Sequence, residues 1–206
     1  MTNFLFIRHT AHDFLGQKIP GRLAGVHLNA LGIEQAEQLG ERLSILPIDA
    51  IYCSPLERAC ETAAPLAKQL KIEPRISEAF NEVEMADWTD KTFSELDGLP
   101  KWRNWNAFRG STAPPGGESM LDVQARVVRQ VSELRERHGC VAIFTHGDVI
   151  RGALAHFLGL HVDLMARFEI DPGSVSLVQV YDAAVVVRVV NANTTTKSVL
   201  PQLLSQ

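Results

Sequence analysis

Apolar residues along the chain fall into two kinds of pattern. Residues 4–7 (FLFI) and 140–145 (CVAIFT) are apolar almost without interruption. Successive side chains of a strand point to opposite faces, so a run of this kind belongs to a strand covered on both sides. DAIYCS at 49–54 reads as another short strand. SVSLVQVYDAAVVVRVVNA at 174–192 places a turn at Asp182 between β-branched runs, a terminal hairpin. Elsewhere the pattern is helical. Residues 31–46 read as an amphipathic helix after the Gly/Pro-punctuated loop at 16–25. A second helix runs to about residue 70, with Ser54 as N-cap and Pro55 in the first helical position. Ser119, with Asp122 three residues on, caps a helix reaching about 138, and 149–158 forms another. Residues 73–115 are irregular and hold Trp88, Trp102, Trp105 and Phe108.

Strands alternating with helices predict a three-layer α/β/α sandwich around a mostly parallel central sheet. The 206 residues suffice for one well-filled core, so the expectation is a single domain over 1–206, with 73–115 as a lid or substrate segment. Ligands of such sheets bind beyond the carboxyl ends of the strands. Arg8 and His9 follow the first strand, Ser54 the second, and His146 the CVAIFT strand. One rim should therefore collect all of them.

Composition narrows the partners. A net charge of −4 offers no basic field to a nucleic acid or an anionic membrane. No apolar run approaches the roughly 18 residues of a membrane span. The first residues lack the basic and long apolar regions of a secretory signal. Cys53, Cys60 and Cys140 are odd in number and lack CxxC spacing, which points to reduced thiols and a cytoplasmic setting.

The rim chemistry is cationic. Arg8, His9, His146 and Arg58, one turn into its helix, combine two guanidiniums, imidazole N–H groups and a helix N-terminus. That set suits a tetrahedral oxyanion, most simply a phosphoryl group. A histidine inside it is better used as a nucleophile, with the neighbours absorbing charge on the equatorial oxygens.

IRHT, CSPLERACETA, PPGGES and THGDVIRG, in this order and in these structural contexts, resemble the histidine phosphatase superfamily, which includes the cofactor-dependent phosphoglycerate mutases. The closing NANTTTKSVL is similar to that family's usual ending. The resemblance implies a phosphoglycerate mutase-like fold and a phosphomonoester hydrolase acting on a small-molecule phosphate ester. His9 would become a phosphohistidine. Arg8, Arg58, His146 and the Gly147 N–H would hold phosphoryl oxygens, with Thr10 beside them. Glu82 would protonate the leaving alkoxide and then deprotonate water, a role that needs a pKa raised above roughly 4.3. Glu84 is the rival carboxylate. Neither metal nor cofactor is expected. The chain departs from the family at Leu15, where an Asn usually touches phosphate; Thr10, His12 and Gln17 are candidates to replace it.

Three other readings compete. A mutase would carry a long insertion between acid and second histidine, whereas Glu82 and His146 are only 64 positions apart. A metal hydrolase using His9, His12, Asp13, His146 and Asp148 has suitable residue types but no HExxH-type pair, and two arginines would repel the ion. A non-catalytic phosphate-binding module would not need to retain His9, His146 and an acid.

Overall fold

The structure, a computed structural model, describes residues 1–193, so positions 194–200 of the closing NANTTTKSVL lie outside the described residues. The runs read as strands form β1 (Thr2–Arg8), β2 (Ala50–Cys53), β4 (Cys140–Thr145), β5 (Val175–Val180) and β6 (Val185–Ala192); a short β3 (Arg75–Ile76) joins them. Their order in the sheet is β3-β2-β4-β1-β5-β6. β1 to β4 pair in parallel, while β5 runs against both β1 and β6.

Both faces are covered, which explains the unbroken apolar runs. Leu5, Ile7, Ile51, Ala142 and Phe144 pack with Leu39 and Leu43 of α1 (Ala30–Leu43) and Ala63 and Leu66 of α2 (Glu57–Leu70). The alternate residues Phe4, Phe6, Tyr52, Val141 and Ile143 pack with Val123, Val127 and Val131 of the helix Met120–Leu134 and with Ile150 and Leu154 of the helix Gly147–Phe157. The three-layer sandwich of the sequence reading is the observed architecture.

Register positions the site. Arg8 stands beside Thr145, and Cys53 beside Phe144. The amide of His9 donates to the Thr145 carbonyl at 2.9 Å, and that of Ser54 to Phe144 at 2.9 Å. Three strands therefore end level, and His9, Ser54 and His146 leave the sheet on one edge.

One expected start is corrected. The helix after β2 begins at Glu57, and its N-cap is Leu56, without a side-chain hydrogen bond. Ser54 does not cap it. Its hydroxyl lies 2.8 Å from His146 Nε2 and accepts the Leu56 amide at 3.3 Å. A fully buried imidazole on the adjacent strand end needs a partner, and Ser54 supplies it. Ser119 caps as expected, accepting from the Asp122 amide at 3.2 Å, though its helix stops at Leu134.

The segment 73–115 is less irregular than it reads. It holds β3, single 3-10 turns at Glu78–Phe80 and Ala86–Trp88, α3 (Phe93–Asp97) and α4 (Pro100–Ala107). With α3 and α4 counted, the two helices before and after β4 are α5 (Met120–Leu134) and α6 (Gly147–Phe157). Trp88, Trp102 and Trp105 hold the segment together, with ring centroids 5.3 to 5.6 Å apart. They are packing residues of this segment.

Candidate active site

His9 is 3% exposed at the end of β1. Its Nδ1 lies 2.9 Å from the carbonyl oxygen of Thr10. A carbonyl only accepts, so Nδ1 carries the proton and Nε2 keeps its lone pair. Burial, and then the charges of Arg58 and Arg8, hold the imidazole well below its ordinary 6.5. The ring is therefore neutral at neutral pH, the state a nucleophile requires. The His146 ring lies 5.3 Å away.

The groups around it carry buried donor atoms that meet no acceptor among the described residues. Arg8 gives one terminal nitrogen to the Ile170 carbonyl at 2.6 Å, but its Nε is buried and unpartnered. Arg58 is fully buried and bonds the Gly21 carbonyl at 2.8 Å, leaving Nε and the other terminal nitrogen without partners. His146 Nδ1 is buried and unpartnered as well. Because the Ser54 hydroxyl accepts from Leu56, its own proton can go to His146 Nε2, which leaves the imidazole proton on Nδ1. Each buried unmet donor costs about 1–3 kcal/mol, more when charged, unless a ligand meets it. Gly147 opens α6 directly beside this group: a Cβ there would stand 3.3 Å from Arg8 Nε.

Glu82 faces the same space. Its carboxylate is 3.6 Å from His146 Nδ1, and it lines, with Arg8, His9, His12 and Gly147, a cavity of about 270 Å3. Burial raises its pKa, reinforced by Asp148 and opposed by Arg58 and Arg8. Glu84, the rival, turns away. It accepts from the Ala86 amide at 3.1 Å and pairs with Arg22 at 3.4 Å, outside the cavity lining.

Thr10 requires a correction. Its hydroxyl donates to the Gly32 carbonyl at 2.8 Å and its amide to Thr62 Oγ1 at 3.1 Å, so the residue is spent on tying the loop to α1 and α2. Of the candidates to replace the Asn missing at Leu15, His12 lines the cavity beside His9, with ring centroids 5.1 Å apart. His12 Nδ1 accepts the Phe14 amide at 3.2 Å, which leaves the ring proton on Nε2. Burial, with Arg58 and Arg8, takes the His12 pKa down to about 4. Sequence reasoning could name His12 only as one of three candidates, because a histidine in a loop carries no periodicity. It also missed the group of Asp148 with Arg109 (2.9 Å) and Arg151 (3.2 Å) on the outer wall. Burial opposes the charged Asp148, but the two arginines outweigh it and hold the carboxylate below its usual range.

The residues of the metal reading go different ways. His9 Nδ1 binds a carbonyl, His146 Nε2 binds Ser54, Asp13 accepts from Asn29, and Asp148 is clamped by arginines. Among the described residues no three His, Cys, Asp or Glu side chains are grouped for a metal ion. No helix among them is long and apolar enough to cross a membrane.

Comparison with known proteins follows the same lines. The sequence pattern of the histidine phosphatase superfamily (branch 1) matches residues 4–193. Adenosylcobalamin/alpha-ribazole phosphatase of Escherichia coli (strain K12) is 27% identical over 169 residues, covering 80% of this chain and 83% of that protein. Glucosyl-3-phosphoglycerate phosphatase of Mycobacterium tuberculosis (strain ATCC 25618 / H37Rv) is 31% identical over 174 residues, covering 77% and 76%. The solved structure of the mycobacterial glucosyl-3-phosphoglycerate phosphatase with VO3 matches at a TM-score of 0.86 and 27% identity, over 94% of this chain and all 100% of that one. The alpha-ribazole phosphatase from Shigella flexneri matches at 0.82 and 26%, over 93% and 96%. With the strand-end histidines and arginines in place and the pattern matched over nearly its whole length, the chain belongs to the histidine phosphatase superfamily and is a phosphatase of it.

Proposed function

We propose that the protein hydrolyses a small phosphorylated metabolite through a phosphohistidine on His9, as one catalytic domain over 1–206 with 73–115 flanking the substrate. The observation that carries this reading is the set of buried, unpartnered donors on Arg8, Arg58 and His146 around a histidine whose Nε2 lone pair is free. A phosphoryl group meets those donors. His9 Nε2 attacks phosphorus while the P–O bond to the leaving group breaks. Arg8, Arg58, His146 and the Gly147 amide take the charge on the equatorial oxygens. His12 Nε2–H supplies the phosphate contact that an Asn at position 15 would make. Glu82 in its acid form gives its proton to the departing alkoxide. As a carboxylate it then removes a proton from the water that attacks the phosphohistidine, releasing phosphate.

Hydrolysis is favoured over mutase-type transfer by the outer wall. A bisphosphorylated intermediate needs a second set of open cations. Here Lys18 pairs with Asp90, Arg109 with Asp148, and Arg151 with Asp148 and Glu169. The names of the relatives, alpha-ribazole and glucosyl-3-phosphoglycerate phosphatases, support a small metabolite as substrate. Catalysis without metal or cofactor, in the cytoplasm, completes the proposal.

Turnover of an aryl phosphate by wild type and His9→Ala, each with and without EDTA, tests it. Wild-type activity that survives chelation and falls at least about 1000-fold in His9→Ala is expected. A wild type as inert as the variant would make the protein a phosphate-binding module. Loss with EDTA and recovery with added metal would return the metal hydrolase.

A further inference from the structure

Two cysteines adjoin the site without entering the mechanism. Cys53 closes β2, and Cys60 lies on α2 two residues past Arg58. Their sulfurs are 3.8 Å apart. Cys53 is fully buried in the core under α1 and α2, whereas Cys60 is partly exposed at the edge of that core. Cys60 also donates to the Ser54 carbonyl at 3.2 Å. A disulfide has an S–S distance of about 2.05 Å, so each sulfur has to move by roughly 1 Å.

We infer that Cys60 and Cys53 are a modification site for hydroperoxides, closing to a reversible disulfide that impairs the phosphoryl site. The partly exposed Cys60 thiolate attacks one oxygen of hydrogen peroxide. An S–O bond forms, the O–O bond breaks, and hydroxide leaves with the proton that Cys60 gave up, as water. The Cys53 sulfur then attacks the Cys60 sulfenic acid, the S–O bond breaks, and hydroxide departs with the Cys53 proton as a second water. Two thiols and one peroxide thus become one disulfide and two waters, a two-electron exchange. The hydrogen bond from Cys53 lowers the pKa of Cys60, while the same contact and burial raise that of Cys53, which assigns the first attack to Cys60.

Position makes the bond consequential. Closing it takes Cys60 off the Ser54 carbonyl and draws the first turns of α2 toward the end of β2. Ser54 holds His146, and Arg58 lies between Ser54 and Cys60 on the same stretch of chain. A displacement on the order of 1 Å in groups that position a transition state costs up to about 100-fold in rate.

The full-length enzyme is treated with hydrogen peroxide, alkylated and mapped by mass spectrometry, with aryl phosphate turnover followed in parallel. The expected product is a 53–60 disulfide peptide, with activity down about tenfold or more and restored by dithiothreitol. Cys60→Ser should keep its basal activity and lose none to peroxide. Cys53→Ala should over-oxidise at Cys60 to a sulfinic acid that dithiothreitol does not reverse. Free thiols after treatment, or sulfinic acid at Cys60 of the wild type without the 53–60 link, would overturn the site. A disulfide that leaves turnover unchanged would overturn its effect. The activity arm rests on the proposed roles of Arg58 and His146, whereas the mass measurement stands without them.

Discussion

At His9, one carbonyl oxygen decides the chemistry. Thr10 fixes the proton on Nδ1, and burial, with the cations Arg58 and Arg8, keeps the ring from taking a second one. The acid limb of the rate profile therefore lies well below pH 6.5. Glu82 acts in the opposite direction. Its raised pKa keeps the proton that the leaving group needs, so kcat on alkyl phosphates falls as pH rises through that pKa. Glu82→Gln should slow alkyl esters by about 100-fold or more and aryl esters far less, since aryl oxides leave without help. Equal losses in the two series would move the acid elsewhere. His9, Arg8 and His146 were legible because each stands at or just past a strand end that its own apolar run announces, and Arg58 because it lies in the first turn of the helix that follows β2. Thr10 was misread for a local reason: adjacency to a nucleophile does not say which way the next side chain turns. It turns toward Gly32 and Thr62.

Elements hold the loop that follows His9. A Cβ on Gly32, in the first turn of α1, would stand 2.0 Å from the Ala11 carbonyl oxygen. Gly32→Ala must push that loop away or shift the helix, at about 1–3 kcal/mol. Urea unfolding should show this loss, while Gly98→Ala, whose Cβ meets nothing within 4 Å, stays within about 0.5 kcal/mol of wild type. If both substitutions cost the same, the loop is not pinned where the structure has it. The sandwich was readable because buried parallel strands leave unbroken apolar runs. Residues 73–115 were not, because their helices are only five and eight residues long and are organised by three stacked and edge-on tryptophans. Periodicity needs several turns to register. The helix start at Glu57 was missed because Ser54 had a partner on another strand, which no local pattern reveals.

For the whole molecule, the cost of assembling the site appears as pH dependence of folding. His9, His12 and His146 all titrate below 6.5 when folded, His12 at about 4. Unfolding lets three imidazoles take up protons, so stability is independent of them above 6.5 and declines as pH falls below it. Glu82, with its pKa raised, binds its proton more tightly when folded and offsets part of that decline. The urea midpoint should therefore be lower at about pH 5 than at about pH 7.5, and inorganic phosphate or orthovanadate should raise it by meeting the open donors. A midpoint that rises on acidification would mean the imidazoles are not held neutral. The central claim is covalent, and it is tested most directly by acid- and base-quenching the enzyme during turnover of a labelled phosphomonoester and mapping the phosphoryl group. A label on His9, lost in acid and kept in base, is the predicted result. A label on Ser54, Cys60 or Glu82, or a wild type that turns over without ever carrying one, would contradict it.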